Sequence, residues 1–560
     1  MSEDGDHRSG SDPPRIPLLR SAPLRLHEAI AKSLVAQGVD TVFGVMGDGN
    51  LFVADSFVRE AGGRFIAASH EANAVHMAHG YAVLSSRVGV ATVTHGPGLT
   101  NTVTALVQAV KAGVGLVLLC GDTDSRDRYG PQVIAQRELV LPTGAGFEQV
   151  RAADTALEDL ATALRRAQVE SRPVVLNLPA ELVHADIGYT AHRGQLPTRP
   201  APVVDEDQLD VAVGILASAQ RPLVLAGRGA LGAGEQLSAF AERVGAPVAT
   251  TLGAKDLFHG DAGNLGIFGT LASAAALEVI GQADCVFAFG ASLNPYTTVS
   301  GSLLAGKRVI HCDTEPEGIG RFSTVDAAVV GDAGEVARTV VTWLDKADVP
   351  PSSFRRRVPA GELRDREEIA PGAAGGTGVD IRTALRAIDG VVSSDRTFVT
   401  DAGRYLAVAW PEIHVERPEH FLFTVSFGAI GTGVGSAIGA AVGRPGHPVL
   451  LVCGDGGLML GGLAELATAR RLGLDLIVVV CNDGAYGAEH VQLVNAGRSP
   501  GLTEFAWPSF AALATAMGFE AVTVGSAGEL PAALERIRTR SGPVLVDVVL
   551  DPAHMPDVAH

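Results

Sequence analysis

Cysteine is scarce in the sequence, and no two cysteines have the C-x-x-C spacing that is typical of zinc and redox sites. The five cysteines are Cys120, Cys285, Cys312, Cys453 and Cys481, and all lie in or beside apolar runs such as LVLLC and LIVVVC. This pattern argues against a disulfide framework or a cysteine zinc site. It favours buried free thiols in a reducing compartment, so we expect a cytoplasmic protein.

Positive charge is also in the minority, with 44 Lys and Arg against 62 Asp and Glu, which gives a net charge of −18. An acidic surface repels phosphate backbones, so we expect no nucleic-acid partner. Aromatic residues make up only 5%, whereas the 67 glycines favour the tight strand–helix packing of an α/β protein. The 560 residues exceed the ~250–300 of a single core, so we expect two to four domains.

The sequence lacks a signal-peptide core and a convincing membrane helix. The polar N-terminus, MSEDGDHRSGSDPPRIPLLRSAP, predicts a disordered tail over residues 1–22. Residues 421–443 contain no Asp, Glu, Lys or Arg and are long enough to span a bilayer, but glycines and other small residues interrupt them. We therefore predict a buried loop followed by a closely packed helix, and no membrane partner.

Strand and helix patterns alternate along the chain in three segments, which indicates parallel sheets. For example, LRLHEAIAKSLVAQGV predicts an amphipathic helix, and TVFGV after it predicts a strand. The predicted class is α/β with three doubly wound parallel-sheet domains. The predicted boundaries are 23–187 for the first domain, 205–347 for a central Rossmann-like domain, 348–378 for a linker and 379–560 for the third domain.

The strongest motif lies in the third segment, where two apolar strands lead into Gly454-Asp455-Gly456-Gly457 and into Asn482. Ligands bind beyond the carboxyl ends of strands in open parallel sheets, so we expect Asp455 and Asn482 to present oxygens at one edge. The glycine turn exposes N–H groups that favour phosphate. Two side-chain oxygens, a loop carbonyl and diphosphate oxygens form the octahedral site that Mg²⁺ prefers. The alternative is two plain turns, but their repetition after two apolar strands favours a binding site.

This segment resembles the diphosphate-binding motif of thiamine-diphosphate enzymes, which begins with Gly-Asp-Gly and ends in Asn after the next strand. The resemblance implies that Asp455, Asn482 and the backbone carbonyl of Gly484 bind Mg²⁺ or Ca²⁺. Family members often end the motif with Asn-Asn, and Cys481 stands at the first of these positions. The remaining cofactor contacts that the resemblance implies are Gly403, Gly428, Gly454, Gly456, Gly457 and Tyr486.

Two distant segments narrow the diphosphate to thiamine diphosphate. FIAASHEANAVHMAHGYA resembles the family pattern H-E-x-x-A-x-x-M-A-x-G-Y, which assigns to Glu71 the hydrogen bond to the aminopyrimidine ring. From its position alone, Glu71 is a solvated acid in the first turn of a helix. In VSFGAIGTG, Ile430 matches the bulky apolar residue that bends the cofactor, and Gly428 would offer its carbonyl to the amino group. The alternative for Ile430 is a plain core position.

The resemblance covers nearly the whole chain beyond the tail. GPGLTN at 96–101, GRGA at 227–230 and IGQADCVFAFGASL at 280–293 are similar to the acetolactate synthase and 2-oxo acid decarboxylase branch of the family. In that branch a pyrimidine-binding domain, a central domain and a diphosphate-binding domain follow one another. The branch also implies a homodimer or homotetramer whose sites lie between subunits, with Glu71 from one and Asp455 from the other.

The residues near the reacting carbon are harder to identify. Asp48, in FGVMGDGNLF, matches an active-site Asp of pyruvate-decarboxylase-like enzymes. His95, in VTHGPGLTN, matches an active-site His of benzoylformate-decarboxylase-like enzymes, where acetolactate synthases usually have a small residue. A His there could relay protons near neutral pH, or it could simply hydrogen-bond a loop backbone. Glu489 and His490 could reach the substrate or lie on a solvated helix face.

The resemblance therefore implies a thiamine-diphosphate-dependent lyase or carboligase that decarboxylates a 2-oxo acid. Acetolactate synthase, which joins two 2-oxo acids, is the alternative enzyme. A catalytically silent paralogue is the alternative from another class, although Glu71, Asp455 and Asn482 argue against it. FAD is doubtful, because the arginine that helps to hold it in acetolactate synthases is replaced in GASLNPYTT. The G-x-G-x-x-G at 227–232 lacks the usual acidic partner and predicts a packed turn.

Overall fold

The computed structural model describes residues 23–190, 202–358 and 378–550. Within these ranges the chain forms three six-stranded sheets, and the strand pairs inside each of them are parallel. Helices cover both faces of each sheet, which confirms the predicted α/β class with three doubly wound parallel sheets. The predicted tail at 1–22 lies outside the described residues, as do residues 359–377 of the predicted linker.

The first sheet is built from short, mostly buried strands, as expected where helices cover both faces. A short antiparallel pair, Leu24–Arg25 with Asp186–Ile187, joins the two ends of this region. The strands in sheet order are Arg64–Ala67, Thr41–Gly44, Gly89–Val93, Leu116–Asp122, Val174–Pro179 and Gly146–Gln149. The α-helices are Leu26–Ala36, Leu51–Arg59, Glu71–Ser85, Pro97–Thr100, Val103–Ala112, Gln136–Val140 and Ala156–Val169.

The central sheet has a different strand order, 3-2-1-4-5-6, which is the order of dinucleotide-binding folds. Its core is aromatic in part, and the Phe287 and Phe289 rings both pack edge-on against Phe240. The strands in sheet order are Asn264–Ile267, Val248–Thr250, Pro222–Ala226, Cys285–Phe289, Arg308–Asp313 and Ala327–Val330. The α-helices are Glu206–Ser218, Gly234–Val244, Ala274–Gln282, Pro295–Thr298 and Ala333–Lys346.

The third sheet repeats the strand order of the first. When the strands are numbered within each region, both sheets have the order 2-1-3-4-6-5. The strands in sheet order are Phe421–Leu422, Thr397–Thr400, Val449–Gly454, Leu476–Asn482, Val544–Val549 and Glu520–Val524. The α-helices are Ile381–Asp389, Leu406–Glu412, Gly433–Gly443, Asp455–Gly457, Leu466–Leu472, Gly487–Asn495, Phe510–Ala516 and Leu530–Thr539.

Two helices join the first and third regions through a contact that depends on glycine. The Glu71–Ser85 helix packs against the Gly433–Gly443 helix, and their buried side chains belong to one hydrophobic core. A Cβ atom on Gly80 would overlap the carbonyl oxygen of Ser436, and a Cβ atom on Gly439 would overlap that of Met77. The two backbones therefore approach more closely than any larger residue allows.

The segment without charged residues at 421–443 has the structure that its glycines predicted. A short strand, Phe421–Leu422, is followed by a loop and by the Gly433–Gly443 helix, most of which is buried. Among the described residues, no helix has the length and apolar character that crossing a membrane requires.

Candidate active site

The register of the third sheet brings Asp455 and Asn482 side by side. Gly454 pairs with Cys481 on the neighbouring strand, so the two residues that follow leave the sheet at the same edge. Asp455 begins a short helical turn, and Asn482 ends its strand. The pair predicted to bind the metal therefore lies where ligands bind in open parallel sheets.

Asp455 is only 2% exposed, and both of its carboxylate oxygens have partners. Its Oδ1 accepts a hydrogen bond from the backbone N–H of Gly456 at 2.8 Å, and its Oδ2 accepts one from Trp507 Nε1 at 3.0 Å. Burial, together with the nearby carboxylate of Asp483, raises the pKa of Asp455 to about 7. A buried carboxylate next to a second one favours a cation, so this donor set fits Mg²⁺.

The side chain of Asn482 is oriented by a neighbour on the next strand. Its Nδ2 donates to Oδ1 of Asp547 at 2.9 Å, and Asp547 is itself only 2% exposed. Because the amide nitrogen is engaged by Asp547, Oδ1 of Asn482 faces the other way and accepts a long hydrogen bond of 3.3 Å from Gly484 N. The carbonyl of Gly484 accepts a hydrogen bond from Phe505 N at 2.7 Å, which leaves it a second lone pair.

The glycine turn after the strand leaves no room for side chains. A Cβ atom on Gly456 would lie 2.6 Å from the ring of Tyr486, and one on Gly457 would lie 2.9 Å from Oδ2 of Asp401. Both positions therefore need glycine because neighbouring groups approach the backbone. This turn, with Gly454 before it, is where the sequence predicts the diphosphate, and its close backbone suits such a ligand.

Asp401 is a buried acid that the sequence analysis missed as a site residue. Its carboxylate accepts hydrogen bonds from Gly431 N at 3.0 and 2.9 Å, and burial raises its pKa. These bonds hold the loop that contains Gly428 and Ile430. Gly428 has φ +78° with open space beside it, and Ile430 is half-buried, so both border the space beside the loop.

Gly403 lies on the other side of the same edge and is exposed. The next residue, Arg404, forms a buried ion pair with Asp483 at 2.8 Å, and Asp483 directly follows Asn482. This ion pair connects the turn at Gly403 to the end of the strand that carries Asn482. A buried pair of this kind costs several kcal/mol when one partner is removed, so we assign it a structural role.

Glu71 begins its helix and is half-buried. Its Oε2 accepts a hydrogen bond from Asn101 Nδ2 at 2.9 Å. Among the described residues, no hydrogen bond joins Glu71 to Asp455 and Asn482, the predicted metal pair. The loop before it is anchored by Glu465, a fully buried acid of the third region. Glu465 Oε1 accepts from the backbone N–H groups of Ser69 at 2.7 Å and His70 at 3.1 Å.

His95 is buried, and its Nδ1 has no hydrogen-bond partner among the described residues. The turn that carries Asp48 lies directly beside it. Gly49 N donates to Thr94 Oγ1 at 3.1 Å, and a Cβ atom on Gly49 would lie 2.7 Å from His95 Nδ1. Asp48 itself is exposed. The structure thus brings the Asp48 turn and His95 together at the carboxyl edge of the first sheet.

A network of buried polar groups supports this edge, and the sequence analysis did not identify it. Asn177 Nδ2 donates to Asp122 Oδ2 at 2.6 Å, and Gln136 Nε2 donates to Asn177 Oδ1 at 2.6 Å. Gln136 also accepts from Gly96 N at 2.9 Å and so holds the turn after His95. Burial raises the pKa of Asp122. Asp122 ends an apolar strand, and Asp455 directly follows one. This similar position is the sequence signal that could have identified Asp122.

Three residues of the predicted site, Tyr486, Glu489 and His490, follow Asn482 within eight positions of the sequence. Tyr486 is half-buried and packs edge-on against Phe505, whose ring stacks on Trp507. Glu489 is exposed on the Gly487–Asn495 helix, and among the described residues it has no hydrogen bond to the metal pair. His490 is half-buried, with Nδ1 at 3.4 Å from Thr503 Oγ1.

The glycines of the central region serve packing. Gly227 N donates to Phe289 O at 2.8 Å, and Gly229 N donates to Gly290 O at 3.0 Å. A Cβ atom on Gly229 would lie 2.9 Å from the Cα atom of Gly290. Because neighbouring strand ends engage these N–H groups, the turn is packed within the protein, as the sequence predicts.

Comparison with protein families matches all three regions. Residues 24–141 match the model described as thiamine pyrophosphate enzyme, N-terminal TPP binding domain. Residues 209–340 match the central domain of the same enzymes, and residues 401–548 match their C-terminal TPP binding domain.

Curated relatives match over most of their length. The chain is 30% identical to a sulfoacetaldehyde acetyltransferase of Rhodobacter capsulatus, over 91% of this chain and 91% of the relative. It is 30% identical to a probable 2-ketoarginine decarboxylase of Pseudomonas aeruginosa, over 90% of each. It is 28% identical to an acetolactate synthase large subunit of Corynebacterium glutamicum, over 95% of this chain and 88% of the relative.

Proposed function

The chain belongs to the thiamine pyrophosphate enzyme family, and from this premise we propose that it is a thiamine-diphosphate-dependent lyase and carboligase acting on a 2-oxo acid. The observation that supports the proposal most strongly is the pairing of the buried Asp455 with the half-buried Asn482 at two adjacent strand ends. A site built from these oxygens suits the divalent ion that anchors a diphosphate. When bound, the cofactor supplies the carbanion chemistry of decarboxylation.

We assign the protein groups the following roles in this proposal. Asp455, Asn482 and the carbonyl of Gly484 would hold Mg²⁺, and the N–H groups of the turn after Gly454 would receive the diphosphate. Ile430 would pack against the cofactor, and Gly428 would offer its carbonyl to the amino group. The carboxylate of Glu71 would hydrogen-bond the pyrimidine ring and control its protonation. A carboxyl group suits this task because it both donates and accepts a proton.

In this proposal, the Glu71 and the Asp455–Asn482 pair that serve one active site come from different subunits. Glu71 has its hydrogen bond to Asn101, not to the metal pair of its own chain. Phe427, directly before Gly428, is 43% exposed, and Leu460, five residues after Asp455, is 64% exposed, although both are large apolar side chains. We infer a homodimer or homotetramer in which a second copy covers these residues and contributes its own Glu71.

The choice of reaction depends on the carboxyl edge of the first sheet. His95 is buried, its Nδ1 has no hydrogen-bond partner in the described part of the chain, and the exposed Asp48 lies on the adjoining turn. An imidazole beside the reacting carbon is able to deliver the proton that completes simple decarboxylation. We therefore favour the lyase. The second candidate is acetolactate synthase, which is favoured by the match to the Corynebacterium glutamicum protein over 95% of this chain.

The decisive test is an activity screen of the purified protein with thiamine diphosphate and Mg²⁺ against a panel of 2-oxo acids. The panel should include pyruvate and a guanidino-substituted 2-oxo acid, and both CO₂ release and ketol formation should be measured. The lyase predicts CO₂ release without an acceptor, whereas acetolactate synthase predicts release coupled to ketol formation. The absence of turnover with every 2-oxo acid would contradict the proposal.

A matched pair of variants tests the assignment of Glu71. Glu71→Gln should abolish turnover, because an amide does not control the protonation of the pyrimidine ring. Glu158→Gln alters another first-turn glutamate of the same region, exposed and outside the site, and should leave turnover unchanged. Full activity in Glu71→Gln would refute the assignment.

A further inference from the structure

We propose that this protein has a second metal site, of the zinc type, formed by Asp256, His259 and His414. One potential ligand atom from each of these residues lies within 4.8 Å of the others. Asp256 and His259 belong to the central region, and His414 belongs to the third region, far from Asp455 in the sequence. The site is independent of the proposed thiamine-diphosphate chemistry.

Asp256 is held in the orientation that a metal ligand requires. It has φ +67°, in the left-handed region that residues other than glycine seldom adopt. Its Oδ2 accepts a hydrogen bond from Val415 N at 3.0 Å and forms an ion pair with the Lys255 ammonium. Its Oδ1 lies 2.7 Å from Nδ1 of His414. One oxygen is thus fixed by the protein, and the other faces the imidazole.

The two imidazoles lie close together and differ in exposure. The ring centroids of His259 and His414 are 5.4 Å apart. His414 is fixed through its backbone N–H, which donates to Asp389 Oδ1 at 2.9 Å, whereas His259 is exposed and allows an ion to enter. Two imidazoles and one carboxylate, with a position left for water, form a donor set that zinc prefers and magnesium does not.

The buried Lys255 sets the strength of the site. Its ammonium also donates to Ile413 O at 2.7 Å, so it is fixed beside Asp256 and offsets part of the carboxylate charge. We therefore expect moderate affinity. An ion bound between Oδ1 of Asp256 and Nδ1 of His414 would replace the 2.7 Å hydrogen bond that now joins these two atoms.

The position of the trio indicates what the ion would do. Asp256 and His414 both line a cavity of about 310 Å³ between the central and third regions. An ion held by ligands from both regions would clamp one onto the other, and the cavity would supply water for the open coordination position. Because the ligands come together only in the folded protein, ion binding should stabilise the fold.

The test uses the holoenzyme, saturated with thiamine diphosphate and millimolar Mg²⁺ so that the diphosphate site is filled. Zn²⁺ is then titrated in competition with a chromophoric chelator. The wild type should bind one equivalent of Zn²⁺ per chain at this site. His259→Ala and His414→Ala should bind it at least tenfold more weakly. His184→Ala, which changes another exposed histidine, should match the wild type.

A second measurement guards against a variant that fails to fold. His259 is exposed, so His259→Ala should retain the fold, and its melting temperature without Zn²⁺ should equal that of the wild type. Zn²⁺ should raise the melting temperature of the wild type, and at the same Zn²⁺ concentration the rise in His259→Ala should be clearly smaller. Equal Zn²⁺ affinity in the wild type and His259→Ala would overturn the proposal, as would the absence of saturable Zn²⁺ binding. Neither result would bear on decarboxylase activity.

Discussion

The first and third regions share one strand order, and their site residues follow equivalent strands. In the first region, Asp48, Glu71 and His95 follow the first, second and third strands, and Asp122 ends the fourth. In the third region, the residues at the same positions are Gly403, Ile430, Asp455 and Asn482. The scaffold is the same, but the chemistry at each position differs. The shared strand order therefore places candidate residues at equivalent strand ends, and the side chains give the two regions different chemistry.

The difference is mainly one of charge. The edge of the third region contains three buried or half-buried carboxylates, Asp401, Asp455 and Asp483, and only Arg404 pairs with one of them. The edge of the first region has no fully buried carboxylate among the described residues: Asp122 and Glu71 are half-buried and Asp48 is exposed, beside neutral amides and an imidazole. Buried carboxylates favour a bound cation, whereas amides and a neutral imidazole suit an uncharged group. Four experiments test this comparison.

The largest effect is expected where the two regions touch. Gly439→Ala places a Cβ atom on the Met77 carbonyl oxygen, and because backbone cannot yield easily, we expect a loss of more than about 3 kcal/mol in stability. Gly214→Ala, in a central helix with open space around it, should instead stabilise by about 0.5–1 kcal/mol. Thermal and urea unfolding measure both. Similar effects from the two variants would show that the close approach is not required.

The next effect tests the partition of charge directly. Asp455→Ala removes a proposed metal ligand, and we expect Mg²⁺ affinity in the presence of thiamine diphosphate to fall by more than about 100-fold. This loss is larger than the roughly 10–100-fold loss that follows when a residue supporting a ligand is replaced. Asp122→Ala removes a half-buried acid from the edge of the first region and should leave Mg²⁺ affinity unchanged. Isothermal titration measures both. Equal losses would mean that the two edges do not divide the cofactor in this way.

Acid should weaken the contact between the two regions. Burial lowers the pKa of His79 to about 4, and burial together with the neighbouring His79 and His70 lowers that of His76 to about 3. The folded state therefore disfavours protons that the unfolded state accepts near pH 6.5. The stability contributed by the neutral imidazoles is complete above about pH 6.5 and is lost as the pH falls towards these values.

At pH 5 the loss should be about 2 kcal/mol for each imidazole. Melting temperatures measured from pH 8 to pH 5 should fall less steeply in His79→Gln than in the wild type. His184→Gln, an exposed control, should follow the wild type. A parallel decline in His79→Gln and the wild type would show that this histidine is not the cause.

The smallest effect concerns the orientation of Asn482. Asp547→Ala removes the acceptor of its amide nitrogen, so the amide is free to turn its nitrogen towards the metal, and Mg²⁺ affinity should fall about tenfold. Thr523→Ala removes a longer contact of 3.4 Å to the other oxygen of Asp547 and should change affinity less than twofold. If Asp547→Ala binds Mg²⁺ like the wild type, its contact with Asn482 is only structural.

Much of the site could be predicted because it is local. Asp455 and Asn482 each follow an apolar strand, and parallel strands end at a common edge, so their proximity follows from the sequence pattern. The supporting residues could not be predicted in this way. Asp547 and Trp507 contact the pair from strands and loops whose neighbours depend on the sheet order. Glu465 supports the Glu71 loop across a distance of 395 residues in the chain.

The sequence by itself determined the class of fold, the positions of the strand ends and the cofactor motif, because periodicity and turn residues act over short distances. Only the tertiary structure decided which strand ends and loops meet. It placed Gln136 under the His95 turn, and it brought Asp256 and His259 to His414 across the central and third regions. Such contacts depend on how preformed sheets and helices dock, and docking is set by the shapes of whole buried faces, which no short segment of sequence specifies.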